Sequence, residues 1–184
     1  ATESRPFRLP KTSGRRRRRL RSQLRAVFVR GDFSSLLMIW ALMLITALAV
    51  RAAAWTNGLD ALAIVSVVAV SFGFLLARSH YSELLSLILS ATYSLVGVGA
   101  VCAVVLVDQG GPRERVAVLA QQLNAWLHEA LAGRQPPNDE VAFVVFLSVL
   151  FWYLGHNAAW HVFRIDRVWR VIVPAGLVLV TNQF

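Results

Sequence analysis

Three histidines and one cysteine have the widest chemical range of any side chains in this sequence. His156 and His161 stand with Asn157 in an otherwise apolar run, and His80 stands in a short polar break between two others. A histidine inside a membrane-spanning segment is a candidate ligand for a haem or pigment metal. A bis-histidine haem takes one ligand from each of two helices. His156 and His161 share one helix, which leaves His80 as the second-helix partner. The competing reading puts them at a membrane interface, where Trp160, Arg164 and Trp169 compose a belt of aromatic rings and snorkelling cations. Cys102 lies inside an apolar run, the setting of a small buried hydrophobe. A single cysteine forms no internal disulfide and no thiolate metal cluster.

Motif-level chemistry is sparse. The chain has no phosphate-binding G-x-x-x-x-G-K-[ST], no H-E-x-x-H and no C-x-x-C. No acid falls within an apolar run in the manner of a proton relay, and no nucleophile has a His and an Asp beside it. The sequence therefore reads as non-enzymatic, with no cofactor, metal or small-molecule substrate assigned. A second constellation is structural in kind. Ser82, Ser86, Ser90 and Ser94 recur every four residues, and Gly97 continues that side. Small residues at this spacing let two helices approach closely in lipid, where van der Waals packing replaces the hydrophobic drive. The face is expected to meet protein, either another helix of this chain or another subunit.

Composition indicates what positions these residues. Of 184 residues, 57% are hydrophobic and 16% charged, against about 25% charged in ordinary soluble domains. Five apolar runs stand out, at about 33–54, 61–77, 84–107, 141–163 and 168–184. Each is near the ~20 residues that cross a ~30 Å hydrocarbon layer at ~1.5 Å per residue. Helices satisfy every backbone group within one segment, so helices are expected. The fold class is an all-α integral membrane protein with about five transmembrane helices, a basic N-terminal arm and one amphipathic helix on the outer side.

Charge sets the expected orientation. Residues 1–32 hold eleven basic residues, among them Arg15, Arg16, Arg17, Arg18, Arg19 and Arg21, against Glu3 and Asp32, for a net +9. Residues 33–184 balance to zero, so the whole formal charge of +9 belongs to the arm. The 108–140 loop carries three Arg and five acids, and the 164–170 turn three Arg and one acid. By the positive-inside rule the arm and the basic turn are cytoplasmic and the acidic loop is outside. Leu20, Leu24, Val27 and Phe28 line one side of a short basic helix over 15–30, which suits anionic lipid headgroups better than nucleic acid beside a membrane span. Within the acidic loop, Val116, Leu119, Leu123, Trp126, Leu127 and Ala130 recur at helical spacing opposite Glu114, Gln121, Gln122 and Glu129. This predicts an amphipathic helix lying at the outer interface over about 113–132, ended by Gly133, Pro136 and Pro137. It serves either as a surface helix packed on the bundle or as a docking surface.

Several short motifs resemble one family. Ser79–His80–Tyr81 through Leu85, Phe151–Trp152–Tyr153–Leu154–Gly155, Ala158–Ala159–Trp160, Phe163–Arg164 and Val173–Pro174–Ala175–Gly176–Leu177 to Asn182 are similar to the N-terminal multi-span membrane region of bacterial transglutaminase-like membrane proteins. That resemblance covers residues 79–184 and implies spans placed ahead of an extracytoplasmic catalytic domain. The Cys-His-Asp domain of the family is absent from this sequence, so no catalytic residue carries over. Two readings follow, with a third from the histidines. The first is a non-catalytic accessory subunit of the bacterial inner membrane, docked among other integral membrane subunits of a larger complex, with an electron-transfer complex (respiratory or photosynthetic) as one class of host. The second is the membrane anchor of a transglutaminase-like enzyme. The third is a haem- or pigment-binding subunit.

Overall fold

The computed structural model describes residues 13–136, 139–165 and 169–181, and the side chains of 33–136, 139–165 and 172–181. The described residues form α1 (Ser13–Ala52), α2 (Asp60–Arg78), α3 (Glu83–Leu106), α4 (Pro112–Leu131), α5 (Asp139–Trp160) with a π-helical turn over His161–Ile165, and α6 (Trp169–Thr181). The chain divides into two units, Ala1–Ser34 and Ser35–Phe184. In the first, α1 includes Arg15–Arg19 and Arg21. The side chains of those arginines lie outside the described residues.

Four helices are long and apolar enough to cross a membrane: Phe33–Ala52, Asp60–Arg78, Glu83–Leu106 and Asp139–Ile165. This is the architecture of an all-α, multi-pass membrane protein. The sequence expects a fifth span over 168–184, of which residues 168 and 182–184 lie outside the described residues. The described part of α6 has 13 residues, or ~20 Å at ~1.5 Å per residue, short of the ~30 Å layer.

Each span is held by a different sequence device. In α1 the buried residues Leu36, Ile39, Met43, Thr46 and Val50 alternate at spacings of three and four. That is the heptad seam of a helix that winds along its neighbours. Thr46 donates to the Leu42 carbonyl at 2.9 Å, so its hydroxyl is satisfied within its own helix. Ser71 and Thr92 do the same, to Val67 and Ile88. α2 is the centre of the bundle and packs on α3, α5 and the π-turn. Its buried set, from Ala61 and Leu62 through Val65, Ser66, Ala69, Val70 and Gly73 to Leu76 and Ala77, covers nearly half the helix. α3 contacts α2, α4 and α5, and α5 also contacts α6.

α4 starts where Pro112 occupies the first turn and Glu114 accepts from the Gly111 amide at 2.8 Å. Arg115 then ties α4 to the end of α3, donating to the carbonyls of Gly110 (3.0 Å), Val104 (3.2 Å) and Asp108 (3.0 Å). At the other connection on this side, Arg51 and Asp60 pair at 2.8 Å across the α1–α2 turn. Both are more than half exposed, so the pair contributes at most about 1 kcal/mol.

Candidate functional site

Two glycines bring the backbones of α2 and α5 close together. A Cβ added to Gly73 would lie 2.8 Å from the His156 carbonyl oxygen and 2.9 Å from its Cα. One added to Gly155 would lie 3.0 Å from the Ala69 Cβ and 3.3 Å from the Val70 nitrogen. Ala69, Gly73 and Ala77 follow one another at four-residue spacing on α2, as do Gly155 and Ala159 on α5, and all five are buried. This is small-residue packing in which van der Waals contact between backbones holds the pair. This face is not evident from the sequence pattern at first reading. Its signal was there, in the four-residue spacing of Ala69, Gly73 and Ala77, but the series of hydroxyls on α3 was the more visible pattern.

That hydroxyl series has a different use along its length. Ser82 caps the N-terminus of α3, accepting from the Leu85 amide at 3.3 Å. Ser86, Ser90 and Ser94 are buried. Ser90 accepts from the Trp152 indole Nε1 at 3.1 Å, and Ser94 donates to the Ala91 carbonyl at 2.7 Å. Gly97 faces the same ring: an added Cβ would come within 2.9 Å of the Trp152 Cζ3. The serine side of α3 is thus the bed for one large side chain of α5. Phe72 flanks that ring at 5.9 Å between centroids and meets Tyr93 at 4.9 Å. One further contact joins α3 and α5, where buried Cys102 donates to Ser148 at 3.6 Å.

The histidines fall in three different settings. His80 is exposed on the turn between α2 and α3. His156, which the sequence places in an interfacial belt, is 3% exposed. The physical reason is its neighbour Gly155, which brings that stretch of α5 against α2. Its ring stacks on Trp160 at 6.2 Å, and its Nδ1 has no hydrogen-bond partner among the described residues. His161 is half-buried in the π-turn. No group of three or more His, Cys, Asp or Glu side chains capable of holding a metal gathers among the described residues.

Arg164 is a functional side chain that sequence reasoning took only as a snorkelling cation. The π-turn carries it back towards the end of α2, where Nη1 donates to the carbonyls of Ser79 (2.8 Å) and Ala77 (3.4 Å) and Nη2 to that of Tyr81 (3.4 Å). These oxygens lie at the C-terminus of α2, where a cation is favoured by the helix dipole and the last carbonyls lack partners. The guanidinium also sits over the Trp160 ring at 5.5 Å. One residue therefore ties the α2–α3 turn to α5. Arg164→Met keeps the aliphatic stem and removes the fork. We expect limited proteolysis of the turn over 79–82 to accelerate several-fold while the helical circular dichroism stays unchanged, and Arg164→Lys to recover part of the protection.

Comparison with family models, with curated proteins and with solved structures finds no match to this chain.

Proposed function

We propose that this chain is a non-catalytic membrane module that holds a larger assembly in a bacterial inner membrane, with its basic arm on the cytoplasmic side. The observation that carries this reading is how the interior polar groups are used. Ser90 is spent on Trp152, Cys102 on Ser148 and Arg164 on the carbonyls of the α2–α3 turn. Each of these contacts joins one helix to another, so these three groups serve rigidity. α3 meanwhile leaves Leu84, Leu95, Val96 and Val104 exposed along its length, open to lipid or to neighbouring subunits. The arginine run fits anionic headgroups or an acidic partner on the cytoplasmic side.

A second reading is favoured by where the family-like residues fall. Trp152, Gly155, Ala159 and Trp160, which carry much of the resemblance to transglutaminase-like membrane proteins, are buried in the joints of α5 with α2 and α3. They support an anchor whose extracytoplasmic partner domain is linked in the same polypeptide.

Purification from the native membrane in mild detergent, with intact mass spectrometry and an absorption spectrum, tests both. Other membrane subunits recovered in fixed ratio are the expected result for an accessory subunit, and visible bands would identify the class of host. A single polypeptide well above the 20.4 kDa of this sequence would establish the anchor reading instead. A lone chain of 20.4 kDa would overturn both.

A further inference from the structure

Among the residues of α4 Leu119 alone is fully buried, and Leu123 beside it is partly buried against the core. Around its axis the residues fall into three sectors. Leu119 and Trp126 face the bundle, packing on α3 and α5. On one flank Val116, Leu127 and Leu131 are exposed, at 46%, 49% and 78%. The other flank is polar, with Glu114, Gln121 and His128 exposed. At ~100° per residue Val116, Leu127 and Leu131 fall on one side of Leu119, and Gln121 and His128 fall opposite to it.

A second observation indicates what covers the apolar flank. Trp126 donates to Asp139 at 2.8 Å and rests edge-on against Phe146 at 5.4 Å. Asp139 is the first residue of the α5 span, so the indole nitrogen lies at the end of that span. Phe146 lies about two turns inside and is 57% exposed, a side chain of the lipid-facing surface. The turn between α1 and α2 repeats the arrangement independently, for Trp55 lies edge-on to Phe143 at 6.4 Å, and both rings are largely exposed. Two tryptophans from two different connections thus sit at the same end of the bundle. Each rests on an exposed phenylalanine of the first two turns of α5. That is the placement of interfacial aromatic anchors, apolar on one side and wet on the other. The helix that carries Trp126 also carries the exposed flank of Val116, Leu127 and Leu131.

We propose that α4, together with Trp55 and Trp126, forms a lipid-binding rim. α4 lies in the headgroup layer of the leaflet on this side, with Val116, Leu127 and Leu131 against acyl chains and Gln121 and His128 towards water. Such helices sink ~5–10 Å into the headgroup and acyl boundary. The proposal rests on the membrane reading of the four spans and not on the identity of any partner. The sequence places this helix at the outer interface, and the proposal names the flank that meets lipid and the two tryptophans that set its depth.

The test uses the full chain in vesicles of phosphatidylcholine and phosphatidylglycerol. Single cysteines replace Val116, Leu127, Gln121 or His128, and each is spin-labelled, with fully buried Cys102 left in place and the parent chain measuring background labelling. Collision with oxygen, which concentrates in lipid, is compared with collision with a water-soluble nickel complex. The expected result is an oxygen-to-nickel ratio several-fold higher at positions 116 and 127 than at 121 and 128. Nickel-dominated collision at all four positions would overturn the proposal, leaving α4 in water. Protection of 116 and 127 from both reagents would also overturn it, in favour of a protein cover such as a second copy. A label at Leu95, exposed in the middle of the α3 span, separates the two levels of failure. If Leu95 is oxygen-dominated while 127 is not, only the rim is wrong. If Leu95 itself is nickel-dominated, the spans are.

Discussion

Leucine in place of Gly73 is expected to separate α2 from α5 and abolish the folded bundle in mild detergent. Even one carbon at that position meets the backbone of His156 at 2.8–2.9 Å, and a backbone cannot rotate aside as a long side chain can. Relief therefore requires the two helices to move apart along the whole joint, including the matching contact of Gly155 with Ala69 and Val70. Overpacking of a dense interior costs about 1–3 kcal/mol where side chains can shift. Here the obstacle is main chain on a joint held mainly by packing, so the loss should reach about 3 kcal/mol or more. Gly99→Ala is the control, since an added Cβ there meets nothing within 4 Å. It should leave stability unchanged or raise it by about 0.5–1 kcal/mol through helix propensity. Thermal unfolding of the purified variants in one detergent, followed by circular dichroism and size-exclusion profile, separates the two outcomes. Equal midpoints for Gly73→Leu and Gly99→Ala would show that the α2–α5 joint does not hold the bundle.

The second large effect belongs to Trp152. Its indole fills the space between the serine side of α3, Gly97 and Phe72, and its nitrogen is satisfied by Ser90. Trp152→Ala leaves a cavity bounded by helices already held in place by other contacts, so partial collapse is the most the site can achieve. A loss of about 3 kcal/mol is expected. Ser90→Ala isolates the hydrogen bond from the ring, and it should cost about 0.6 kcal/mol, the usual worth of such a bond between membrane helices. A chemical denaturation series on the two variants reads the ratio. If Ser90→Ala proves as damaging as Trp152→Ala, the polar contact and not the ring volume governs this joint.

The span-level architecture was legible because hydropathy is a one-dimensional property. The apolar runs at 61–77 and 84–107 lie within a residue or two of α2 (Asp60–Arg78) and α3 (Glu83–Leu106). The amphipathic pattern over 113–132 likewise matches α4 (Pro112–Leu131). Pairing was harder to read, because it depends on which helices meet across a long separation. The α3 serines showed a small-residue face but not that Trp152 fills it, since nothing local to Ser90 points to a residue 62 positions away. Arg164 was read by its position near a span end, and the π-turn that swings it onto the α2 carbonyls has no sequence signature. His156 looked interfacial by sequence distance from Arg164, while the glycine beside it brings the helix close enough to α2 to bury it.

The position of α2 in the chain has a consequence for how the protein is made. α2 meets α3 as soon as the two have been synthesised, but the partner of its small-residue face, α5, follows more than 60 residues later. Until then Ala69, Gly73 and Ala77 face acyl chains with no helix to close on them, and the carbonyls of Ala77 and Ser79 await an arginine still inside the ribosome. The first three spans are therefore an open intermediate, and the arrival of α5 is the committing step of assembly. The contacts that close this face come only with α5 and with Arg164 beyond it.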